Sequence, residues 1–135
     1  FPLGAYEAPV RLPDQTHAAG GLIDAESYNE VLSMMPDDSL DELLKTVFEI
    51  PDGTVHVLAQ AVFRDDREAT GYNAHKLKGT AMLMGFRALV KTSQRIEELA
   101  KSEEPVSHEL ANQLLLESEM TWKATRSFQA HPVAV

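Results

Sequence analysis

The sequence predicts an all-α fold, an antiparallel four-helix bundle with an additional N-terminal helix. Apolar residues recur at intervals of three and four through most of the chain, which is the spacing of one face of a helix. No segment shows the alternation of apolar and polar residues that is typical of a half-buried strand. Proline and glycine fall between the periodic stretches, where they favour helix ends and short connections.

Length and composition are those of one domain. The chain has 135 residues, of which 44% are hydrophobic and 24% charged, enough for one core. Its formal net charge of -9 opposes binding to nucleic acid or to an anionic membrane surface. The absence of cysteine excludes disulfides, thiolate catalysis and cysteine-ligated metal sites. No apolar run reaches the roughly 20 residues that span a bilayer.

The two ends of the chain are predicted to be tails around the domain. Residues 1–21 contain three prolines and three glycines without sustained periodicity, which indicates a linker or flexible tail. The domain is expected over residues 22–129, and residues 130–135 are expected to be a C-terminal tail. Because the chain starts with Phe1 rather than methionine, we expect a fragment or processed product of a longer protein.

The first two helices are predicted from capping signals. Asp24 is the expected N-cap of the first helix, which should end near Met35-Pro36, and Ile23 and Tyr28 are spaced as a hydrophobic staple. A second helix is predicted to start at the capping box Ser39–Glu42. Its apolar stripe comprises Leu40, Leu43, Leu44, Val47 and Phe48.

An interruption follows at Pro51–Gly53. Beyond it an apolar stripe resumes with Val55, Leu58, Ala61 and Val62. Proline is disfavoured inside a helix because it lacks the N–H donor and clashes with the preceding turn. Either one kinked helix or two shorter helices satisfy this pattern, and the sequence does not decide between them.

Three further helices are predicted in the second half of the chain. The third runs from about Asp66 to Gly85, which is a plausible C-terminal stop. The fourth ends before Pro105, and the last begins near the possible N-cap Ser107. Their inward-facing residues are expected to include Phe86, Leu89, Ser93, Ile96 and Ala100 in the fourth, and Leu114, Leu115, Ser118 and Trp122 in the last.

The third predicted helix carries one outward-facing histidine, His75. At about 100° per residue, its core stripe of Leu77, Ala81 and Met84 lies on the side opposite the imidazole. The residues predicted to share the face of His75 are Gly71, Tyr72, Lys78, Gly79 and Met82. Glycine inside a helix costs about 1 kcal/mol relative to alanine, so two on this face need a reason.

An exposed imidazole with small neighbours and a nearby cation suits a phosphoryl acceptor. The ring nitrogen can attack in line, the glycines leave room for the donor surface, and Lys78 can offset charge on the phosphoryl oxygens. The same pattern also fits an ordinary solvated histidine beside a frayed helix start. Spacing alone does not separate these two interpretations.

The residues Ala74–Ala81 and Gly85–Leu89 together resemble the signature of histidine-containing phosphotransfer (HPt) domains. The histidine, leucine, lysine, both glycines and final leucine of that signature match in spacing, and helix order agrees over Leu22 to about Phe128. The resemblance implies a four-helix bundle whose phosphoacceptor, here His75, shuttles a phosphoryl group between receiver-domain aspartates. It implies no ATP site, hence no autonomous kinase activity.

The resemblance also implies roles for individual residues. Lys78 would stabilise the phosphoryl group and Gly79 would allow close docking of a receiver, whereas Gly85 and Leu89 look structural. Some members have glutamine where Glu97 stands; a carboxylate there can orient the ring but repels phosphate, which leaves the role of Glu97 open. The expected partner-binding residues are Gly71, Tyr72, Lys76, Gly79, Met82 and Arg87, with Phe86 more simply a core residue.

Cofactors and partners follow from the same resemblance. We expect no cofactor and no metal on this chain, with Mg²⁺ brought by the partner receiver domain. Partners would be receiver domains of a hybrid sensor kinase or a response regulator, and this chain would be the kinase's C-terminal module. We expect a cytoplasmic location, either as a cytoplasmic protein or as the cytoplasmic portion of a membrane-bound kinase, and a monomer for the isolated domain.

The other four histidines do not indicate a metal site. His17, His56, His108 and His131 are scattered without metal-ligand spacing and are expected to lie on the surface. A helical module that binds receivers without phosphorylation remains the main alternative. A haem or metal bundle is disfavoured because Met82 shares a helix face with His75 and cannot approach an iron from the opposite side. Lys76, Lys78 and Arg87 predict a small basic patch near the histidine.

Overall fold

Six helices follow one another between Ala25 and Ala130 in a computed structural model of the chain. The structure describes residues 21–130, with the side chains of residues 128–130 excepted. The predicted tails at 1–20 and 131–135 lie outside the described residues. The helices are α1 (Ala25–Met34), α2 (Asp37–Phe48), α3 (Thr54–Phe63), α4 (Arg67–Met84), α5 (Arg87–Lys101) and α6 (His108–Ala130).

The predicted all-α class is confirmed, and no strand occurs within the described part of the chain. Helix α3 packs against α4 and α6, α4 packs against α5, and α5 packs against α6, so these four helices form a closed ring. Helix α1 lies against α4, and α2 lies against α3. The most extensive contact joins α4 and α5, the helices on either side of Gly85.

Helix α1 begins where the sequence predicts, although its cap differs in detail. Asp24 occupies the N-cap position, but its carboxylate accepts a hydrogen bond from the Ser27 hydroxyl at 3.0 Å rather than from a backbone N–H. Ile23 and Tyr28 are both fully buried, as the staple requires. The Asp24 N–H donates to the Gly85 carbonyl at 2.6 Å, which fastens the start of α1 to the corner between α4 and α5.

The predicted capping box at Ser39–Glu42 is wrong. Helix α2 already begins at Asp37 with Pro36 at the N-cap, so Ser39 lies inside the first turns of the helix. Asp37 and Asp38 fill the first turn, where negative charge interacts favourably with the helix dipole. Proline cannot continue α1, and its fixed backbone angle suits the start of a new helix.

The interruption after Phe48 produces two separate helices. Helix α2 ends at Phe48, and α3 begins at Thr54 after Gly53 at its N-cap. The chain turns so tightly here that a Cβ on Gly53 would lie 2.6 Å from both the backbone N and O of Glu49. Glycine is therefore required by close backbone contact at this turn, and the kinked single helix is excluded.

The boundaries of α4, α5 and α6 follow the sequence predictions. Asp66 caps α4 by accepting the Ala69 N–H at 3.1 Å, and Gly85 ends it in the left-handed region at φ 76°. Ser107 caps α6 by accepting the Leu110 N–H at 3.2 Å. Most of the predicted inward-facing residues are buried, and the rest pack against the same core. Fully buried are Phe86, Leu89, Ser93, Ile96 and Leu114, nearly buried are Ala100 and Ser118, and partly buried are Leu115 and Trp122.

Candidate functional site

The outward orientation predicted for His75 is confirmed. Leu77, Ala81 and Met84 of α4 are buried on the core side, whereas the side chain of His75 is 72% exposed. The imidazole is nevertheless fixed in orientation, because its Nδ1 lies 2.8 Å from Oε2 of Glu97 on α5. The ring therefore presents its other nitrogen, Nε2, away from this contact.

Glu97 is the centre of a charged group that the sequence did not reveal in full. Its side chain is only 4% exposed, and it receives His75 on Oε2 and the Lys78 ammonium on Oε1 at 2.8 Å. Lys101, one helical turn later on α5, places its ammonium 3.3 Å from Oε2. We call His75, Lys78, Glu97 and Lys101 the Glu97 cluster.

The cluster keeps Glu97 ionised despite its burial. Loss of hydration on burial raises the pKa of a carboxyl group, but hydrogen bonds from Lys78, His75 and Lys101 more than offset this. The resulting pKa of Glu97 is lowered from 4.5 to about 2. The carboxylate thus accepts hydrogen bonds and does not donate one at neutral pH.

The hairpin of α4 and α5 brings these residues together. Gly85 reverses the chain with a backbone conformation that other residues rarely adopt, and an added Cβ would meet that of Ser27 at 2.8 Å. Residues at similar distances before and after this corner face each other, as His75 and Glu97 do. Lys78 follows His75 by three residues on α4, and Lys101 follows Glu97 by four residues on α5. Residues at these spacings lie on the same face of a helix.

The two glycines near His75 have different surroundings. An added Cβ on Gly79 would meet nothing within 4 Å, so this position leaves open space on the face of His75. At Gly71 an added Cβ would lie 3.6 Å from the Cβ of Ala100, and the residue is half-buried. Gly71 therefore lies at the packing contact between α4 and α5, whereas Gly79 faces outward without a neighbour.

An exposed apolar surface lies on the outward side of α4. Tyr72 and Met82, both predicted for this face, are 68% and 61% exposed. Leu83, which was not predicted to lie on this face, is equally exposed at 61%. Large exposed apolar side chains such as these three, on the helix that carries His75, are of the kind that contact a protein partner.

The expected basic patch forms from different residues. Lys78 is held on Glu97, and the second cation beside it is Lys101, which the sequence argument did not single out. Arg87 lies instead at the α4–α5 corner, where its guanidinium is 3.9 Å from the Asp24 carboxylate. Lys76 is exposed on α4, and Phe86 is fully buried, as the core interpretation predicted.

Nothing in the described residues forms a metal site of three or more histidine, aspartate or glutamate ligands. His108 lies 3.5 Å from the Asp65 carboxylate, and His56 is partly exposed on α3. His17 and His131 fall outside the described residues. No helix in the described range is long and apolar enough to cross a membrane.

Comparison with known proteins returned one finding. A family model described as Hpt domain matches residues 38–123. The matched range runs from the first turn of α2 into the second half of α6 and includes all four residues of the Glu97 cluster. No curated protein and no solved structure matches the chain.

Proposed function

Because the chain belongs to the Hpt domain family, we propose that it is a phosphorelay intermediate that carries the phosphoryl group on His75. The group would come from an aspartate of one receiver domain and pass to an aspartate of another. The observation that carries this proposal is an exposed imidazole whose Nδ1 is engaged by a buried carboxylate. That contact leaves Nε2 as the nitrogen available for attack.

Nε2 of His75 is the proposed nucleophile. When Nδ1 carries the proton and donates a hydrogen bond to Glu97, Nε2 holds the free electron pair of the neutral ring. Attack on phosphorus forms the Nε2–P bond and breaks the P–O bond to the donor aspartate, whose carboxylate leaves with the electron pair. The open space at Gly79 admits the donor surface to this nitrogen.

Lys78 is the proposed stabiliser of the phosphoryl group. Its side chain is 26% exposed, and its ammonium sits on the same carboxylate as the imidazole, within reach of a group on the ring. Lysine has three rotatable N–H donors on a flexible stem, so its ammonium can turn from a carboxylate to phosphoryl oxygens. This chain would need no metal for the step, and the Mg²⁺ of the reaction would belong to the receiver domain.

The wider context is part of the same proposal. We infer that the partners are receiver domains of a hybrid sensor kinase or a response regulator, which dock on the surface of Tyr72, Met82 and Leu83 around the imidazole. Lys76 and Arg87 would contribute charged contacts at its margins. The parent protein would be a sensor kinase with this domain in the cytoplasm, and the isolated domain would be a monomer without kinase activity of its own.

Phosphoryl transfer from a phosphorylated receiver domain tests the proposal. We expect the wild type to become labelled in an acid-labile, base-stable form and the His75→Gln variant to remain unlabelled. His108→Gln is the matched control, because His108 is also an exposed histidine but lies outside the Glu97 cluster. Equal labelling of His75→Gln and wild type would overturn the assignment.

A docking module without phosphorylation is the second candidate. The exposed apolar side chains of Tyr72, Met82 and Leu83 favour it, since they suffice for binding without chemistry at the ring. In that case calorimetry would show receiver binding to both wild type and His75→Gln, and neither protein would take up phosphate. Phosphate uptake by the wild type on His75 would exclude this candidate.

A further inference from the structure

An apolar groove lies at the surface between α2, α3 and α6. Its apolar lining consists of Leu44, Phe48, Ile50, Leu115 and Trp122. Ile50 is 70% exposed, and Phe48, Leu115 and Trp122 pack against the core while remaining partly exposed. The groove has a volume of about 750 Å³, within the range of sites that hold a ligand. Large apolar side chains grouped at a surface mark a place where another apolar group binds.

We propose that this groove binds the N-terminal segment of the chain itself, and that Val10 and Leu12 are the side chains that enter it. The groove and the surface around His75 are separate, because α6 and α4 lie on opposite sides of the four-helix ring. A segment held in the groove would therefore leave the face of His75 open to partners. This role goes beyond phosphoryl transfer and does not depend on it.

The described chain begins close to one end of the groove. The Asp24 N–H donates to the Gly85 carbonyl at 2.6 Å, so the start of α1 lies beside Phe86. The ring centroid of Phe86 is 5.7 Å from that of Phe48, which in turn is 5.6 Å from that of Trp122. Two successive ring contacts thus lead from the start of α1 to the groove.

The chain between Leu12 and Gly21 is long enough to cover this distance. Its eight residues, 13–20, span at most roughly 26 Å when fully extended, several times the separation of neighbouring rings. A short flexible tether also holds its end at an effective concentration on the order of 1 mM. Contacts too weak to bind a free peptide therefore suffice to keep the attached segment in the groove.

The sequence Pro9–Pro13 suits an apolar groove. Proline disfavours helical backbone in the residue before it, so the two prolines favour an extended segment between them. In an extended chain Val10 and Leu12 point to the same side and Arg11 to the other. Two branched apolar side chains can thus enter the groove together, which removes their surface and that of Ile50 from water.

Charge complements this fit. Glu49 and Glu119 line the groove together with one lysine, Lys45, which gives the lining a net charge of one negative unit. Arg11 is the one lysine or arginine among residues 1–20, and it stands between the two apolar side chains. Ion pairs at exposed positions contribute little to affinity. The charge would therefore favour one placement of the segment, while the apolar contacts hold it.

Fluorescence of Trp122 in the full chain tests the proposal, because this residue is the only tryptophan of the sequence and lines the groove. The variant combines Val10→Asp with Leu12→Asp, since charged side chains do not enter an apolar site. We expect its acrylamide quenching constant to rise about twofold or more over the wild type. Gln15→Asp combined with Thr16→Asp is the matched control, which adds the same charge to the segment and should quench like the wild type.

A spin label measures the position of the segment directly. The chain has no cysteine, so Ala8→Cys provides a single site for a nitroxide. We expect the label to broaden the indole N–H resonance of Trp122, and Ile50→Glu to remove most of this broadening. Met34→Glu is the matched control, because Met34 is also a large exposed apolar residue, at 76%, but does not line the groove.

Three outcomes would overturn the proposal. One is equal quenching of Trp122 in the wild type and in the variant at Val10 and Leu12. Another is broadening of the Trp122 resonance that Ile50→Glu leaves unchanged. The third is broadening that appears when spin-labelled protein is mixed with ¹⁵N-labelled protein carrying no nitroxide, since the groove would then hold a second copy of the chain. Labelling of His75 by a phosphorylated receiver is independent of all three.

Discussion

A single buried carboxylate organises the site. Glu97 is buried, yet three side chains from two helices converge on its two oxygens. A buried charge of this kind is tolerated only when it is paired and hydrogen-bonded. The orientation of the imidazole is therefore fixed by a hydrogen bond to a residue 22 positions further along the chain.

Removal of the Lys78 ammonium should weaken the phosphorylated state. If Lys78 stabilises the phosphoryl group as proposed, Lys78→Ala should lower the phosphohistidine lifetime or the transfer rate by about tenfold, the loss of one charged hydrogen bond. Helical content by circular dichroism should stay near that of the wild type. Lys123→Ala, which removes an exposed lysine paired with Glu119 on α6, is the control. Unchanged kinetics in Lys78→Ala would remove this residue from its role.

Acid should destabilise the fold through Glu97. Its pKa in the folded state, about 2, lies below the ordinary 4.5. The stability that the ionised group contributes is thus present above pH 4.5 and lost as pH falls towards 2. The contribution is on the order of 3 kcal/mol.

Urea unfolding at pH 7 and at pH 2.5 measures this contribution. The free energy of unfolding should fall less between the two pH values in Glu97→Gln than in the wild type. Glu98→Gln provides the comparison for loss of an exposed carboxylate. Parallel losses in wild type and Glu97→Gln would show that the cluster does not hold the carboxylate ionised.

The single residues of the site were predictable only to different degrees. His75, Lys78 and Gly79 stand within five consecutive positions, so helical periodicity alone placed them on or near one outward face. Glu97 and Lys101 belong to another helix, and their approach depends on the corner at Gly85. A usable signal existed, because His75 precedes Gly85 by ten residues and Glu97 follows it by twelve. Positions nearly equidistant from a hairpin turn face each other.

Among the helices, α2 begins earlier than predicted because two capping signals compete at its start. The Ser39–Glu42 box has the right residue types, but Pro36 starts the helix earlier and the acidic pair Asp37 and Asp38 stabilises that start. The local sequence pattern could not decide at which of these two positions the helix begins. The break at Pro51 was visible in sequence, whereas the crowding of Gly53 against Glu49 required the folded backbone.

Two glycine-to-alanine substitutions should have opposite effects on stability. Gly53→Ala places a methyl group 2.6 Å from the Glu49 backbone, so it should reduce the free energy of unfolding by about 1–3 kcal/mol. Gly79→Ala meets nothing within 4 Å in the middle of α4 and should raise it by up to about 1 kcal/mol. Denaturant titration of both variants against the wild type measures the difference. A stabilising Gly53→Ala would show that the turn can open.

For the whole molecule, α1 is part of the core although the matched family range starts beyond it, at residue 38. Tyr28 is fully buried, with its ring centroid 5.7 Å from that of Phe86. Burial, together with the charge of Asp41, raises the pKa of Tyr28 to about 12, so the phenol stays neutral. Helix α1 thus adds a buried aromatic side chain to the core of the four-helix ring.

Substitutions on the two sides of α1 test this arrangement. Tyr28→Ala should lower the free energy of unfolding by about 3 kcal/mol or more, because a large aromatic side chain leaves the core. Met34→Ala should change it little, since Met34 is 76% exposed on the same helix. Thermal or urea unfolding distinguishes the two outcomes. Equal, small losses would show that α1 is not needed by the rest of the fold.

The balance of two lysines and one carboxylate in the Glu97 cluster also bears on how partners come and go. Before transfer, two lysines and one carboxylate give the Glu97 cluster a net charge of one positive unit when histidine is counted as neutral. The whole chain, counted in the same way, has a net charge of -9. Under the proposed function, this positive charge would attract a phosphorylated partner over roughly one Debye length, about 8 Å at physiological ionic strength. Once the phosphoryl group is on the ring, its negative charge would offset that positive charge, and the partner would have lost its dianion. The long-range attraction would thus favour binding to the unphosphorylated domain and would weaken once the phosphoryl group has been transferred.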